Sequence, residues 1–348
     1  MSDRVRSALA AVVDGKRLSM EEARGAMGSV MDGEATPAQL AALLVALRMR
    51  GETVEELAGF VAAMRQRAVR VVAPDGAVDT CGTGGDGSHT FNISTAAALV
   101  VAAAGVPVAK HGNRAITSAC GSADVLEALG IATDLDADEA GEALRRDGFA
   151  FLLAPTYHPA MKHAGPTRRE IGVRTAFNLI GPMTNPAGAR RQVVGVGDPA
   201  AAPKMAEVLR LLGSERALVV HGEGVDELPL DGTGVLYDVT PAGVTRYEIA
   251  AADLGLAPAS IGELSGGRPG ENAALVEAVL AGRPGPRRDV VLLNAAAAFV
   301  AAGRADGLRA GIDLAADTIV SGSATALLGR LRAAKTARAA TKMEAAPA

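Results

Sequence analysis

The residues with the clearest chemical potential lie in one glycine-rich run, Asp79-Thr-Cys-Gly-Thr-Gly-Gly-Asp-Gly-Ser-His-Thr-Phe-Asn-Ile-Ser-Thr95. Glycine lets the backbone adopt positive φ and approach a ligand closely. The free N–H groups of such a loop attract anions, and so does the N-terminus of the helix that follows it. The run therefore predicts a phosphate-holding loop, although its spacing matches neither the dinucleotide fingerprint nor the Walker loop.

Four polar residues in this run need a more specific interpretation. Asp86 is an anion beside an expected anion, which favours a bond to a ligand amine or hydroxyl, or a neighbouring metal ion. Asn92, Ser94 and Thr95 lie at the start of the next helix, where capping alone would explain them. Because they follow the glycine loop directly, we favour contact with a ligand.

A second polar cluster, Lys110-His-Gly-Asn-Arg114, follows the next apolar run. Two cations on one turn, together with an imidazole and an amide, would form a costly, self-repelling group without an anion to bind. A solvated charged turn is the simpler alternative. Ser118, Gly121 and Ser122 then lead into a helix and offer further hydroxyl and N–H donors to a phosphate.

Several charged residues farther along the chain have two interpretations each. Asp226 and Glu227 follow a strand pattern and suit Mg²⁺, which prefers oxygen ligands and is often shared with substrate phosphates; a solvated acidic loop is the alternative. Arg168 and its neighbour Arg169 are either ligand contacts or surface ion-pair partners, and His158 and His163 could be ordinary helix-face residues.

The elements that must position these residues fall into two patterns. The first 70 residues predict helices near 3–14, 19–31, 37–49 and 53–69, with capping boxes at Ser19, Thr36 and Thr53. From residue 77 onward, short apolar segments alternate with helical ones, which indicates βαβ units and a mainly parallel sheet. The predicted strands are 77–81, 106–110, 148–153, 192–197 and 217–221, and the predicted helices between them are 95–104, 122–130, 137–146 and 202–213.

The remaining segments complete this α/β prediction. Residues 234–249 predict an antiparallel hairpin around Pro241-Ala-Gly, and a Gly/Pro-rich loop over 265–271 precedes a helix at 272–281. Two alanine-rich helices, 287–302 and 307–334, are followed by a frayed end. A helical insertion at 157–190 interrupts the alternation and is expected to pack onto the N-terminal helices, which would create a cleft between two lobes.

Composition excludes several classes of protein. The 348 residues carry a net charge of −4, which argues against a nucleic-acid binder. No apolar run is long enough for a membrane span, and the first residues lack the pattern of a signal peptide. The two cysteines, Cys81 and Cys120, have no metal-ligand spacing, so we expect reduced thiols in a cytoplasmic protein.

Taken together, the motifs resemble the anthranilate phosphoribosyltransferase family, and the resemblance covers nearly the whole chain. The matching motifs are Gly82-Thr-Gly-Gly-Asp86, Asn92-Ile-Ser-Thr95, Lys110-His-Gly-Asn-Arg114, Gly121-Ser-Ala-Asp124, His158-Pro-Ala-Met161, Arg168-Arg-Glu-Ile-Gly172, Phe177-Asn-Leu-Ile-Gly-Pro-Met-Thr-Asn-Pro186, Asp226-Glu227 and Leu293-Asn-Ala-Ala-Ala297. The chain departs from the family at Ile116-Thr117-Ser118, which keeps two hydroxyls, and at Pro229, which leaves both acidic residues in place.

The resemblance implies a fold and a reaction. The fold is a small helical domain (1–72, with 157–190 packed onto it) and a large α/β domain (73–156 and 191–348), dimeric through the helical domain. The reaction transfers phosphoribose from 5-phosphoribosyl 1-pyrophosphate to the amino group of anthranilate, the second step of tryptophan synthesis from chorismate. Two Mg²⁺ ions per subunit would assist it, with no single acid–base residue and His111 in a supporting role.

The resemblance also assigns residues to each ligand. Anthranilate would contact Gly82, Asn113, His158 and Arg168, with Arg168 facing its carboxylate, and Mg²⁺ would be held by Ser94, Asp226 and Glu227. Phosphoribosyl pyrophosphate would contact Gly82, Gly85, Asp86, Thr90, Asn92, Ile93, Ser94, Thr95, Lys110, His111, Gly112, Asn113, Arg114, Ser118 and Ser122.

Two rival functions share this fold. A pyrimidine nucleoside phosphorylase should carry Ser-Thr-Gly-Gly where this chain has Gly82-Thr-Gly-Gly-Asp86. A nucleic-acid-binding relative without enzymatic activity should show a basic groove and eroded metal carboxylates. Neither pattern is present in the sequence, so we favour the transferase.

Overall fold

A computed structural model describes residues 3–115 and 119–344. The predicted phosphate contact at Ser118 lies outside these residues. No helix among the described residues combines the length and the apolarity needed to cross a membrane.

The N-terminal lobe is a bundle of four helices: α1 (Asp3–Val13), α2 (Met20–Met31), α3 (Pro37–Arg50) and α4 (Val54–Gln66). The three predicted capping boxes are confirmed, because the side chains of Ser19, Thr36 and Thr53 each accept a hydrogen bond from the N3 backbone while the N3 side chain returns one. Buried leucines at helical spacing on α3 and Phe60 on α4 form much of the bundle core.

The second lobe contains a seven-stranded sheet in the order β3-β2-β1-β4-β5-β6-β7. Its first five strands are parallel and β6 and β7 form the predicted antiparallel hairpin. The strands are β1 (Val78–Gly82), β2 (Val108–Gly112), β3 (Phe149–Leu153), β4 (Arg191–Gly195), β5 (Arg216–Gly222), β6 (Gly234–Thr240) and β7 (Gly243–Ile249). The mainly parallel α/β prediction is confirmed.

Helices cover both faces of this sheet. Two of them, α5 (Ile93–Ala103) and α13 (Pro286–Ala301), are buried along almost their whole length, as their nearly continuous run of small apolar residues requires. The others are α6 (Ser122–Ala128), α7 (Ala137–Asp147), α11 (Ala202–Leu211), α12 (Pro269–Leu280), α14 (Leu308–Val320) and α15 (Ser323–Glu344).

The segment between β3 and β4 forms three short helices, α8 (Ala154–Tyr157), α9 (Gly165–Ile171) and α10 (Ala176–Ile180), with 3-10 turns between and after them. Apolar residues of this segment, including Phe177 and Met183, share one buried cluster with α1–α4 and with one face of the sheet. The segment therefore joins the helical bundle to the α/β lobe.

The C-terminal prediction was wrong in two respects. The single helix expected over 307–334 is divided at Gly322, whose φ of +79° is favourable only for glycine. The chain also remains helical to Glu344 instead of fraying after 334. Arg338 explains this extension, because its guanidinium donates to the carboxylates of Asp134 at 2.7 Å and Glu139 at 2.8 Å, which are tertiary contacts that helical propensity does not reveal.

Candidate active site

Four strands of the sheet end beside one another and create the edge on which the site is built. The parallel strands β1, β2, β4 and β5 end in glycines at 82, 112, 195 and 222. Since ligands of α/β proteins gather beyond the carboxyl ends of parallel strands, the loops that follow these glycines form the expected binding edge.

The glycine-rich loop after β1 adopts a conformation that other residues would resist. Gly84 and Gly85 have φ values of +59° and +64°. The Thr83 N–H donates to the Gly195 carbonyl at 2.9 Å, which anchors the loop to β4. Arg174 donates from one guanidinium nitrogen to the carbonyls of Gly84, at 3.0 Å, and Gly85, at 2.8 Å. The carbonyls are thus held by the arginine, while loop N–H groups remain for an acidic group.

The acidic loop after β5 lies directly against the glycine loop. The Asp226 carboxylate accepts a hydrogen bond from the Gly84 N–H at 2.8 Å, and the Asp226 N–H donates to the Asp86 carboxylate at 3.2 Å. A Cβ atom at Gly82 would collide with the Asp226 carboxylate, so only glycine permits this approach. Asp86, Gly82, Gly85 and Asp226 are therefore brought together.

The start of α5 meets the same acidic loop. The Ser94 N–H donates to the Glu227 carboxylate at 3.0 Å, and the buried hydroxyl of Thr95 has no hydrogen-bond partner within the described residues. Asn92 occupies the N-cap position, yet its side chain makes no capping hydrogen bond, so capping alone does not explain this residue. Ile93 is buried and packs in the core, whereas Thr90 pairs with Ser265 in a short antiparallel bridge.

Burial makes the two acidic residues of the β5 loop unusually easy to protonate. Desolvation, together with the neighbouring Asp86, raises the pKa of Asp226 to about 6, and desolvation, together with Asp226, raises the pKa of Glu227 to about 8. Although burial alone would raise the pKa of Asp86, hydrogen bonds from Ser88 and Asp226 lower it overall. The negative charge of Asp86, Asp226 and Glu227 is therefore only partly balanced by the surrounding protein groups.

Beneath the loops, a buried cation and a buried acid lie side by side. Lys110 donates to the carbonyl of Thr80, and burial lowers the pKa of its ammonium group. Asp79 is fully buried; desolvation raises its pKa, and its carboxylate accepts from the His111 N–H at 3.1 Å. The position of Lys110 next to Asp79 and below Glu227 supplies positive charge to the floor of the site.

The turn after β2 contains one residue whose charge is already balanced. Arg114 donates to Glu127 at 2.8 Å and to Asp124 at 3.5 Å, both on α6. Asp124 also accepts from the Gly121 N–H at 2.8 Å, and the Ser122 hydroxyl donates to the Asn113 carbonyl at 3.2 Å. Arg114 is therefore engaged by the protein itself, whereas Gly112, Asn113 and Ser122 meet at one point of the turn.

A cavity of about 960 Å³ lies between the two lobes. All four residues that the family resemblance assigns to anthranilate binding line this cavity. It is lined by Gly82, His111, Asn113, His158 and Arg168, among others. Arg168 stacks over Phe177, with its guanidinium carbon 4.7 Å from the ring centroid. His163, by contrast, lies against Gly33 at the end of α2 and does not line the cavity.

The two cavity histidines form a neutral pair. Their ring centroids are 5.2 Å apart, and the Nε2 atom of each ring is buried without a partner among the described residues. Burial lowers the pKa of His111 to about 3 and that of His158 to about 4. Both imidazoles are therefore uncharged near neutral pH and offer polar atoms without adding positive charge.

Sequence reasoning missed four residues that support this site: Asp79, Arg174, Asn272 and Asn294. Asp79 could have been noticed as an acidic residue within an apolar strand pattern. Asn294 lies in the Leu293-Asn-Ala-Ala-Ala motif; its side-chain amide accepts from the Leu228 N–H at 2.9 Å and donates to the Leu228 carbonyl at 3.0 Å. Arg174 and Asn272 have no comparable sequence signal, because their partners are distant in the chain.

A helical bundle joined to a mainly parallel sheet, with a phosphate-type loop facing an interlobe cavity, is the arrangement expected of a two-lobed glycosyltransferase. Family comparison agrees with this class. Residues 6–68 match the helical bundle domain of a glycosyl transferase family, and residues 74–325 match the a/b domain of that family.

Individual relatives narrow the class. Anthranilate phosphoribosyltransferase of Symbiobacterium thermophilum is 54% identical over 330 residues, covering 94% of this chain and 97% of its own. The crystal structure of that enzyme from Thermus thermophilus matches with a TM-score of 0.90 and 47% identity, over 94% and 99% of the two chains. A Saccharomyces cerevisiae structure in complex with PRPP and Mg matches with a TM-score of 0.88 and 25% identity, over 97% and 99%. The chain belongs to the anthranilate phosphoribosyltransferase family.

Proposed function

We propose that the protein transfers the phosphoribosyl group of 5-phosphoribosyl 1-pyrophosphate to the amino group of anthranilate, releasing pyrophosphate, as the second step of tryptophan synthesis from chorismate. The observation that carries this proposal is the juxtaposition of two sites. A glycine loop in contact with buried carboxylates adjoins a cavity that presents Arg168 and two neutral histidines. Family membership supports the same reaction.

Phosphoribosyl pyrophosphate would occupy the loop edge of the sheet. The N-terminus of α5 and the Thr95 hydroxyl, which has no partner in the described part of the chain, would offer donors to phosphate oxygens, and the buried Lys110 would add positive charge. Gly82, Gly85, Asp86, Asn92 and Ser122 border this edge. Arg114 would have to leave its α6 partners to reach a phosphate, so we assign it a lesser part.

The acidic loop fits a divalent cation. Asp226 and Glu227 have raised pKa values because their charges are buried and close together, and a bound cation would relieve that repulsion. No three His, Cys, Asp or Glu side chains within 3–115 and 119–344 form a metal cluster of their own, which is consistent with Mg²⁺ completing its shell with substrate oxygens and water. Asp226, Glu227 and Ser94 would hold two Mg²⁺ ions per subunit, which would neutralise charge on the pyrophosphate.

Anthranilate would occupy the interlobe cavity. Its carboxylate matches the guanidinium of Arg168, which Phe177 holds in place by stacking. His111 and His158 are neutral, so they would accept or donate hydrogen bonds to the ligand without competing with Arg168 for its charge. Asn113 and Gly82 border the path from this cavity to the loop edge.

The chemistry then depends mainly on position and electrostatics. The aromatic amine of anthranilate is largely unprotonated at neutral pH, so no strong base is needed to expose the nucleophile. The site would hold this amine behind C1 of the ribose, while donors on the opposite side stabilise charge on the departing pyrophosphate. No single residue is then an indispensable acid or base, and His111 is supporting.

We also infer the organisation of the whole protein. It comprises a helical domain of residues 1–72, with 157–190 packed onto it, and an α/β domain of 73–156 and 191–348. The matched regions 6–68 and 74–325 support a boundary near residue 72, and the buried cluster that 157–190 shares with the N-terminal helices supports the packing of that segment. Exposed apolar side chains on the helical domain, at Val45, Met49 and Val173, support a homodimer formed through that domain.

Anthranilate fluorescence tests the proposal directly. Protein, phosphoribosyl pyrophosphate, Mg²⁺ and anthranilate are mixed, and the emission of anthranilate is followed. We expect the emission to fall with time in the complete mixture and to remain constant when phosphoribosyl pyrophosphate is omitted. A constant signal in the complete mixture, with circular dichroism confirming folded protein, would refute the transferase. Phosphorolysis of a pyrimidine nucleoside would then test for the nucleoside phosphorylase.

A further inference from the structure

A chain of three hydrogen bonds connects the glycine-rich loop before α12 with the phosphate edge of the site. The Gly267 N–H donates to the Asn272 side-chain oxygen at 2.7 Å. The Asn272 amide nitrogen donates to the Asn92 side-chain oxygen at 2.9 Å, and the Asn92 amide nitrogen donates to the Cys120 carbonyl at 3.2 Å. Residues 180 positions apart in the sequence are thus joined in one relay.

The backbone fixes the direction of this relay. A backbone N–H can only donate and a backbone carbonyl can only accept. Because Gly267 contributes an N–H at one end and Cys120 a carbonyl at the other, each amide between them has only one orientation that satisfies both neighbours. The side-chain oxygen of Asn92 is consequently occupied by Asn272, and one of its N–H bonds is occupied by Cys120.

We propose that Asn272 is a positioning residue that fixes the Asn92 amide as a hydrogen-bond donor toward phosphoribosyl pyrophosphate. This inference rests on the proposed function. The second N–H of the Asn92 amide has no acceptor among the described residues. Because Asn92 is only half-buried at the start of α5, this N–H is accessible to a ligand. An amide restricted to donation suits phosphate and ribose oxygens, since the other amide orientation would turn a carbonyl oxygen toward an anion.

The surroundings of Asn272 support a dedicated role. Asn272 is only 1% exposed, so its amide is shielded from water and its hydrogen-bonding groups must find partners within the protein. A Cβ atom at Gly266 would lie 2.7 Å from the Asn272 side-chain oxygen and 2.7 Å from Cα of Phe91. The absence of a side chain at Gly266 therefore allows the loop to approach both Asn272 and the residue preceding Asn92.

The relay also reaches the turn that precedes α6. Cys120 directly precedes Gly121 and Ser122, where the backbone begins that helix. Through Asn92, Asn272 therefore reaches the two loops that the proposed substrate would bridge, and it also contacts the Cys120 thiol directly. Its effect should appear in the binding of phosphoribosyl pyrophosphate and not in the binding of anthranilate, whose cavity Asn272 does not line.

The test is a double-mutant cycle on the full-length protein. Asn272→Asp keeps the oxygen that accepts from Gly267 but removes the donor to Asn92, and Asn272→Ser removes the amide without burying a charge, in case the first variant does not fold. The dissociation constant of phosphoribosyl pyrophosphate with Mg²⁺ is measured by titration calorimetry, with kcat and both KM values from the fluorescence assay. Thr325→Val, which removes a hydrogen bond at the far end of α12, is the matched control.

We expect Asn272→Asp or Asn272→Ser to weaken binding of phosphoribosyl pyrophosphate by about 10-fold or more, as loss of a hydrogen bond to a charged group would. The KM for anthranilate and the affinity of Thr325→Val should change by less than about 2-fold. In an Asn92→Ala background, the substitution at 272 should have almost no further effect.

The proposal would be overturned if the Asn272 substitution weakened binding of phosphoribosyl pyrophosphate equally in the wild-type and Asn92→Ala backgrounds, because Asn272 would then act independently of the Asn92 amide. Unchanged affinity in a folded Asn272 variant would also overturn it. Failure of the wild-type protein to bind phosphoribosyl pyrophosphate would instead refute the proposed function, so the two failures are distinguishable.

Discussion

At the residue scale, the site uses burial to set the charge of each group. Desolvation lowers the pKa values of His111 and His158 and raises those of Asp226 and Glu227. The cavity thus presents neutral imidazoles beside a cationic arginine, whereas the loop edge concentrates negative charge. Under the proposed function, these opposite shifts would separate the place for the aromatic acid from the place for a metal-bound pyrophosphate.

Arg168 provides the simplest residue-scale prediction. Arg168→Ala should raise the KM for anthranilate by about 10- to 100-fold, because a charged hydrogen-bonding partner of the carboxylate is lost. Arg168→Lys should recover part of this loss, although lysine cannot form a bidentate pair. Steady-state kinetics with each substrate varied in turn will check this.

The comparison variant is Arg210→Ala, which removes an exposed arginine on α11. Its anthranilate KM should match that of the wild type. If Arg168→Ala instead raised only the KM for phosphoribosyl pyrophosphate, the assignment of the cavity to anthranilate would be wrong.

The two histidines predict how stability depends on pH. Because their folded pKa values of about 3 and 4 lie below the ordinary histidine value of 6.5, the unfolded chain binds more protons in acid. Their contribution to stability is present above pH 6.5 and is lost as the pH falls toward 4. When the pH is lowered from 7.5 to 5, the Tm of the wild type should fall. The Tm of the double variant His111→Gln/His158→Gln should fall by at least about 3 °C less than that of the wild type.

Differential scanning calorimetry at the two pH values will measure this difference. His163→Gln, at an exposed histidine, is the control and should follow the wild-type pH dependence. An identical fall in Tm for the double variant and the wild type would contradict the effect attributed to burial.

At the element scale, a buried helix and the inserted segment hold two loops of the site. The buried α13 carries Asn294, whose amide makes two hydrogen bonds to the backbone of Leu228, the residue after Glu227. The inserted segment between β3 and β4 carries Arg174, which holds the glycine loop from the opposite lobe. The acidic loop and the glycine loop are thus each fixed by an element remote in sequence.

Loss of the Asn294 contacts should therefore loosen the acidic loop. Asn294→Ala should destabilise the protein by about 1–3 kcal/mol, because buried backbone groups of Leu228 lose their partner. It should also raise the Mg²⁺ concentration needed for half-maximal activity by about 5-fold or more, since the carboxylates that follow β5 are no longer held. Chemical denaturation and a Mg²⁺ titration of the rate measure the two effects.

A second buried variant separates these effects. Leu327→Ala, in the core contact of α15, should destabilise the protein without changing the Mg²⁺ requirement. A normal Mg²⁺ requirement in Asn294→Ala would show that Asn294 serves stability alone.

At the scale of the whole molecule, the helical lobe combines two roles. Its inner side shares a buried cluster with the inserted segment and one face of the sheet. Its outer side exposes Met49, of which 84% is accessible, and Met49 lines one shallow surface depression together with Val45 and Val173. An exposed apolar group of this kind is typical of an interface between protein chains.

Met49→Asp should therefore convert the proposed homodimer into a monomer, because a buried, unpaired carboxylate is costly at an interface. Size-exclusion chromatography with light scattering will report the mass. Val320→Asp, at an equally exposed valine on α14, should leave the mass unchanged. A wild-type protein that is monomeric at micromolar concentration would refute the dimer.

Much of the architecture follows from local sequence patterns. The capping boxes at Ser19, Thr36 and Thr53 are local in sequence, so the helices they begin were predictable, and alternation of apolar segments predicted the parallel sheet. The C-terminal helix was misjudged because Arg338 and its partners Asp134 and Glu139 lie about 200 residues apart. Local patterns contain no information about such contacts.

The sequence by itself determined which chemical groups are present and which strand ends carry them, since glycines, hydroxyls and carboxylates at those ends form recognisable motifs. Only the tertiary structure decided their states. It paired Arg114 with α6, left the Asn92 amide free of capping, and buried His111 and Asp226 deeply enough to change their pKa values. The physical reason is that hydrogen-bond partners and desolvation depend on distances in space, which the spacing of residues along a chain does not specify.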